Sequence, residues 1–63
     1  MKAKIYAVWV GLDYFLIKAV SKKQLNEQFL NNYKIAGYEC DDIDELGYAE
    51  KLTDLNINID LTE

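Results

Sequence analysis

The stretch KIYAVWVGLDYFLIKA, residues 4–19, decides the fold. Its opening, Lys4 to Val10, is rich in the branched and aromatic side chains that suit a pleated strand. Gly11, Leu12 and Asp13 supply a short turn, and 14–19 reads as the returning strand, so residues 4–19 form a β-hairpin. Both faces of the first strand are apolar, with Ile5, Ala7 and Trp9 on one and Tyr6, Val8 and Val10 on the other. Such a strand lies centrally in a sheet or is covered on both sides. Lys18, on the face of Tyr14 and Leu16, marks that face as wet toward the strand's end.

Downstream, Ser21 and Gln24 have the spacing of a capping box, in which each side chain answers the other's orphan backbone N–H. Val20 and Leu25 are placed for a hydrophobic staple. Leu25, Phe29, Tyr33 and Ala36, with Leu30 beside them, repeat at helical spacing. Gly37 suits a left-handed stop, after which Tyr38 can fold back onto Tyr33. The spacing predicts a helix over 22–36.

Asp42 and Glu45 resemble a second capping box, which opens a short helix over 42–51 with Ile43, Leu46 and either Tyr48 or Ala49 inward. Gly47 weakens that helix by roughly 1 kcal/mol relative to Ala. A short strand over 38–40 followed by a loop is the alternative. Residues 55–61 alternate strictly, with Leu55, Ile57, Ile59 and Leu61 on one side and Asn56, Asn58 and Asp60 on the other, as in a half-buried strand.

The expected fold is therefore α+β, one domain over 1–63, with a small antiparallel sheet of three to four strands and the main helix across one face. Its core would be Trp9, Phe15, Ile17, Leu25, Phe29, Ile57 and Ile59. Tyr6, Val8 and Val10 would then be poorly covered, and exposed apolar area of that kind marks an interface. Those three residues are the candidates for self-association as a homodimer.

Composition restricts function more than it names it. A chain of 63 residues that is 51% hydrophobic with 13% aromatics is folded, not disordered. It buries only about 60% of its unfolded surface, so a partner or a second copy is a natural source of further burial. His, Arg and Pro are absent, and Ser21 is the only serine. Without imidazole, proton transfer at neutral pH and His-based metal sites lose their usual groups, so neither an enzyme nor a cofactor is expected. Cys40 is the only cysteine, which excludes an intramolecular disulfide and suits a reducing, cytoplasmic setting, with a structural thiol as its ordinary role. The basic start and the apolar run to Val10 imitate a signal peptide, but Asp13 breaks the run and no cleavage site of small residues follows. It also falls short of the ~20 apolar residues of a membrane span. No membrane association is expected.

Charge is unevenly placed. The total is −4, yet residues 1–36 hold six lysines against Asp13 and Glu27, net +4, and residues 37–63 hold nine acids against Lys51, net −8. The acidic run does not fit a calcium loop: with Asp42 and Asp44 as the first and third ligands, the fifth and twelfth positions fall on Leu46 and Thr53. Lys18, Lys22 and Lys23 beside Tyr14 make a poor nucleic-acid patch on an acidic chain without arginine, so direct nucleic-acid binding is not expected. Trp9 as a base-stacking platform gives way to Trp9 as core. Carboxylates three and four apart on a helix form a row. The candidate partner-binding set is Tyr38, Glu39, Asp41, Asp42, Asp44, Glu45, Tyr48 and Glu50, with a merely solvated acidic face as the alternative.

In size, in its Lys, Asn, Ile and Asp vocabulary and in its acidic C-terminal half, the chain resembles the small accessory proteins of bacteriophages and mobile elements. Many of these inhibit host enzymes or defence systems, in anti-CRISPR or anti-restriction fashion, some by mimicking nucleic acid. The resemblance implies a protein partner that handles nucleic acid, blocked at a basic site. The alternative is a structural homodimerisation module with no such partner.

Overall fold

The hairpin predicted over residues 4–19 forms, but its turn has two residues, not three. In the computed structural model, which describes residues 2–38 and 40–63 except for the side chains of Cys40 and Asp41, strands β1 (Lys4–Val10) and β2 (Asp13–Ala19) close on the pair Val10 and Asp13. Gly11 sits at φ +60 and Leu12 at negative φ, the pattern of a type II′ turn with glycine first. Side-chain direction alternates along a strand, so a shift of one residue exchanges the faces. Tyr6 lies opposite Ile17 and Val8 opposite Phe15, whereas Trp9 lies opposite Tyr14 and Ile5 opposite Lys18.

The helix packs on the Tyr6 face. Tyr6, Val8, Val10, Ile17, Ala19, Leu25, Phe29 and Leu30 form the core, with Phe15, Tyr33, Ile43, Ile59 and Leu61 around it. This corrects two expectations. Trp9 is not core, being 43% exposed, and Tyr6, Val8 and Val10 are no spare surface for self-association, because the helix buries them. Ile57 also lies outside this cluster. The ring of Phe29 meets Phe15 at 5.3 Å and Tyr33 at 5.0 Å, edge to face. Such pairs add about 0.5–1.5 kcal/mol each beyond their buried area.

The single helix, α1, opens with α-helical turns at Lys22–Leu25, widens to a π turn at Asn26–Leu30 and closes as α-helix over Asn31–Ile35. Leu25 and Leu30, one i to i+5 step apart, are both fully buried. At its start the Gln24 N–H donates to Ser21 Oγ at 3.1 Å. Gln24 Oε1 reaches past the cap residue to accept the Val20 N–H at 2.8 Å, and its Nε2 donates to the Leu61 carbonyl at 2.9 Å. At its end the N–H of Gly37 (φ +91) donates to the Lys34 carbonyl and that of Tyr38 to the Tyr33 carbonyl. That is the paired bonding of a Schellman stop.

Residues 42–51 do not form the short helix. Cys40–Tyr48 is strand β3, antiparallel to β1 along its second edge. The backbone groups on that edge of β1 need partners, and one extended strand supplies them in a row. Ile43, expected inward, lies opposite Val8 and packs against the core. The register shifts at Ile5/Tyr6 and again at Trp9/Val10, so β3 is a bulged edge strand.

The last strand, β4, is only Ile59–Asp60 and runs parallel to β2, so the sheet is mixed, in the order β3-β1-β2-β4. The alternation over 55–61 survives as burial, with Leu55, Ile57, Ile59 and Leu61 half-buried and Asn56 and Asn58 exposed, while most of the stretch belongs to a connection. β2, β3 and β4 are mutually parallel, which makes two crossovers. Right-handed crossovers in opposite lateral directions lie on opposite faces of a sheet. α1 takes one face, and residues 49–58 take the other. Ile5 and Ala7 are buried yet outside the helix-side core, on the face away from the helix. Leu52 stands 3.5 Å from where a side chain at Gly47, the partner of Ile5, would begin.

Two substitutions test this arrangement by urea denaturation. Gly11→Ala meets no neighbour, so its expected cost of about 1–2 kcal/mol is conformational; an unchanged midpoint would refute the turn type. Ile17→Ala, under the helix, should cost about 2–5 kcal/mol, whereas a cost below that range would place Ile17 outside the core.

Candidate functional site

An extended β3 sorts its carboxylates by alternation. Asp42 lies opposite Trp9 and Asp44 opposite Ala7, on the face away from the helix, while Glu45 lies opposite Tyr6 on the helix side. Alternate side chains on a strand are ~6.5 Å apart, so Asp42 and Asp44 are two exposed charges in line. Trp9 and Tyr14, 43% and 46% exposed, continue the row across β1 and β2. Their ring centroids are 4.6 Å apart at 52°. Leu12, at the hairpin tip beside them, is entirely exposed.

The opposite end of the sheet carries three lysines, each paired with an acid. Lys2 pairs with Glu50 at 3.0 Å, Lys4 with Glu45 at 3.1 Å and Lys18 with Asp60 at 3.8 Å. The ammonium groups of Lys2 and Lys4 lie 5.9 and 5.3 Å from the Tyr48 ring centre. The hydrogen bond to Glu45, and then its charge, raise the Lys4 pKa. Burial pushes the Tyr6 phenol up, and the neighbouring Glu45 carboxylate raises it further. The Thr62 hydroxyl, the Thr62 N–H and the Lys18 charge together lower the pKa of Asp60. Among the described residues, no ion pair engages Asp42 or Asp44.

The residues expected to bind a partner therefore do not form one surface. Glu45, Tyr48 and Glu50 belong to the basic end and are engaged with lysines. Tyr38 is exposed beyond the helix stop, with its ring 6.1 Å from that of Tyr33. Asp42 stands opposite Trp9, near the hairpin turn, and Asp44 opposite Ala7, at the middle of β1. Glu39 and the side chains of Cys40 and Asp41 lie outside the described residues. Trp9, expected in the core, and Tyr14, expected beside a lysine patch, stand exposed side by side on the face that carries Lys18. Among the described residues no group of three or more acids or thiols is placed to hold a metal ion, and no helix is long and apolar enough to cross a membrane.

No family model matches the sequence, and no curated protein or solved structure matches it.

Asp60 provides a pH test of the basic end. Its folded pKa is lowered, so its contribution to stability is present above the ordinary aspartate value of about 3.9 and is lost as pH falls through the folded value. Thr62→Val removes the leading cause and should move the Asp60 titration, followed by carboxyl NMR shifts, up toward the ordinary range. An unmoved titration would rule out the hydroxyl.

Proposed function

We propose that this protein is an interaction module without catalytic activity, an inhibitor or modulator of the bacteriophage or mobile-element kind. Its acidic turn end docks against a basic, nucleic-acid-handling protein in the cytoplasm. One observation carries the reading: Asp42 and Asp44 are exposed on one face and in no ion pair among the described residues, whereas Glu45, Glu50 and Asp60 are matched by lysines. Charges left in line without counterions of their own chain create a field that draws in a basic surface. Their ~6.5 Å step along the strand is close to the phosphate step of a nucleic-acid strand.

Self-association has less support. Tyr6, Val8 and Val10 are buried. Two copies of β3 paired edge to edge would bring the carboxylates of Asp42, Asp44 and Glu45 near those of the other copy, and like charges directly opposite destabilise a sheet.

The test is capture of proteins from a bacterial lysate by the wild type and by the Asp42→Asn/Asp44→Asn double variant, at low and high salt. The wild type should retain a nucleic-acid-binding enzyme at low salt, release it at high salt and compete with nucleic acid for it. The double variant should retain it at least about tenfold less well, a loss of about 1.4 kcal/mol. Equal retention by both would defeat the proposal.

A further inference from the structure

Resting on that reading, we propose that the row Asp42–Trp9–Tyr14 is a binding site for one arginine or lysine side chain, presented by an extended basic segment of the partner. Trp9 is the best cation-binding ring in the chain, and its indole is open to solvent. The cation–ring contacts among the described residues are at Tyr48, at the other end of the sheet. Asp42 is the cross-strand neighbour of Trp9, so their β-carbons stand ~5 Å apart. Asp44, two residues further along β3, is the diagonal neighbour at ~7–8 Å. A guanidinium stacked on the indole would therefore have a carboxylate at its edge, the geometry in which arginine forks onto an acid while lying on an aromatic face. Tyr14, on the strand across from β3, lies tilted against the Trp9 ring with centroids 4.6 Å apart.

The crossing over 49–58 leaves this site open. Leu52 reaches Gly47, the partner of Ile5, and the N–H and side-chain oxygen of Asn58 bond the Leu16 backbone at 2.8 and 2.7 Å, while Trp9 stays 43% exposed. A cross-strand aromatic pair that only stabilised the hairpin would need no carboxylates beside it, so charge is what separates the two roles.

Trp9 is the only tryptophan, so its emission reports on the site directly. The probe is a short acetylated and amidated oligoarginine peptide, with the citrulline peptide as its uncharged counterpart. Oligoarginine should change the emission saturably and citrulline should not. Asp42→Asn, which keeps the side chain's shape, should weaken binding about tenfold, and Glu27→Gln, on the exposed helix, should leave it unchanged. Trp9→Leu, followed by calorimetry, should weaken it by a similar factor. No saturable change, or equal weakening by Glu27→Gln and Asp42→Asn, would overturn the anchor. In the lysate experiment, undiminished capture by Trp9→Leu alongside loss in Asp42→Asn/Asp44→Asn would overturn the anchor while leaving the acidic docking end standing.

Discussion

The two-residue turn at Gly11 and Leu12 sets the phase of the hairpin, and the rest of the fold follows from that phase. Closing on Val10 and Asp13 puts Tyr6, Val8 and Val10 on the same side as Phe15, Ile17 and Ala19. That side has no charge until Lys4 at one end and Asp13 at the other. The opposite side carries Lys18 between the strands' apolar residues. The helix has one apolar stripe to bury, and only the first side offers a continuous surface for it. A residue more in the turn would bring Trp9 beside Phe15 and turn Tyr6 and Val8 away from the helix.

Sheet topology converts a polarity along the sequence into a polarity in space. β1 begins at the lysine-rich end, β2 returns to it at Lys18, and β3 passes Asp42 near the turn and Asp44 at mid-strand before Glu45 meets Lys4. Exposed ion pairs are worth about 0–1 kcal/mol each, so the Lys2–Glu50, Lys4–Glu45 and Lys18–Asp60 contacts do little to hold the fold. Their consequence is electrostatic: they neutralise one end and leave the other negative. The same carboxylates, together with two bulges, keep the long outer edge of β3 from templating another strand.

The sequence made plain whatever is decided within a turn or two of the chain. The Ser21 cap, the helix stop at Gly37 with Tyr38 folding back onto Tyr33, and the α+β class were legible because capping residues and apolar periodicity act locally. The Gln24 side chain's bonds to Val20 and Leu61 were not, since the second depends on where the chain's end comes to rest. Residues 42–51 were misread because Asp42 and Glu45 suit a helix start equally well. β1's unpaired edge, a long-range demand, outweighed a helix that already contained Gly47. Asp42 and Asp44 were legible as a charge cluster, but the aromatic neighbour of Asp42 was not. Trp9 lies beside them only in a strand register that no local pattern encodes.

Size explains why an indole stands open at all. A strand of seven residues is ~23 Å long, and crossing from β3 to β4 over two intervening strands takes ~14 Å. One irregular connection can bridge that width, but it cannot also blanket the length. Residues 49–58 therefore shield the Ile5 end and leave the Trp9 end bare. An uncovered Trp, Tyr and Leu at the tip of a small sheet would ordinarily invite association between copies. Asp42 and Asp44 oppose it, because stacking two such patches would also stack two sets of like charges. The carboxylates that would repel a second copy are the ones that would favour the proposed cationic partner, so both effects at this end of the sheet would rest on the same two side chains.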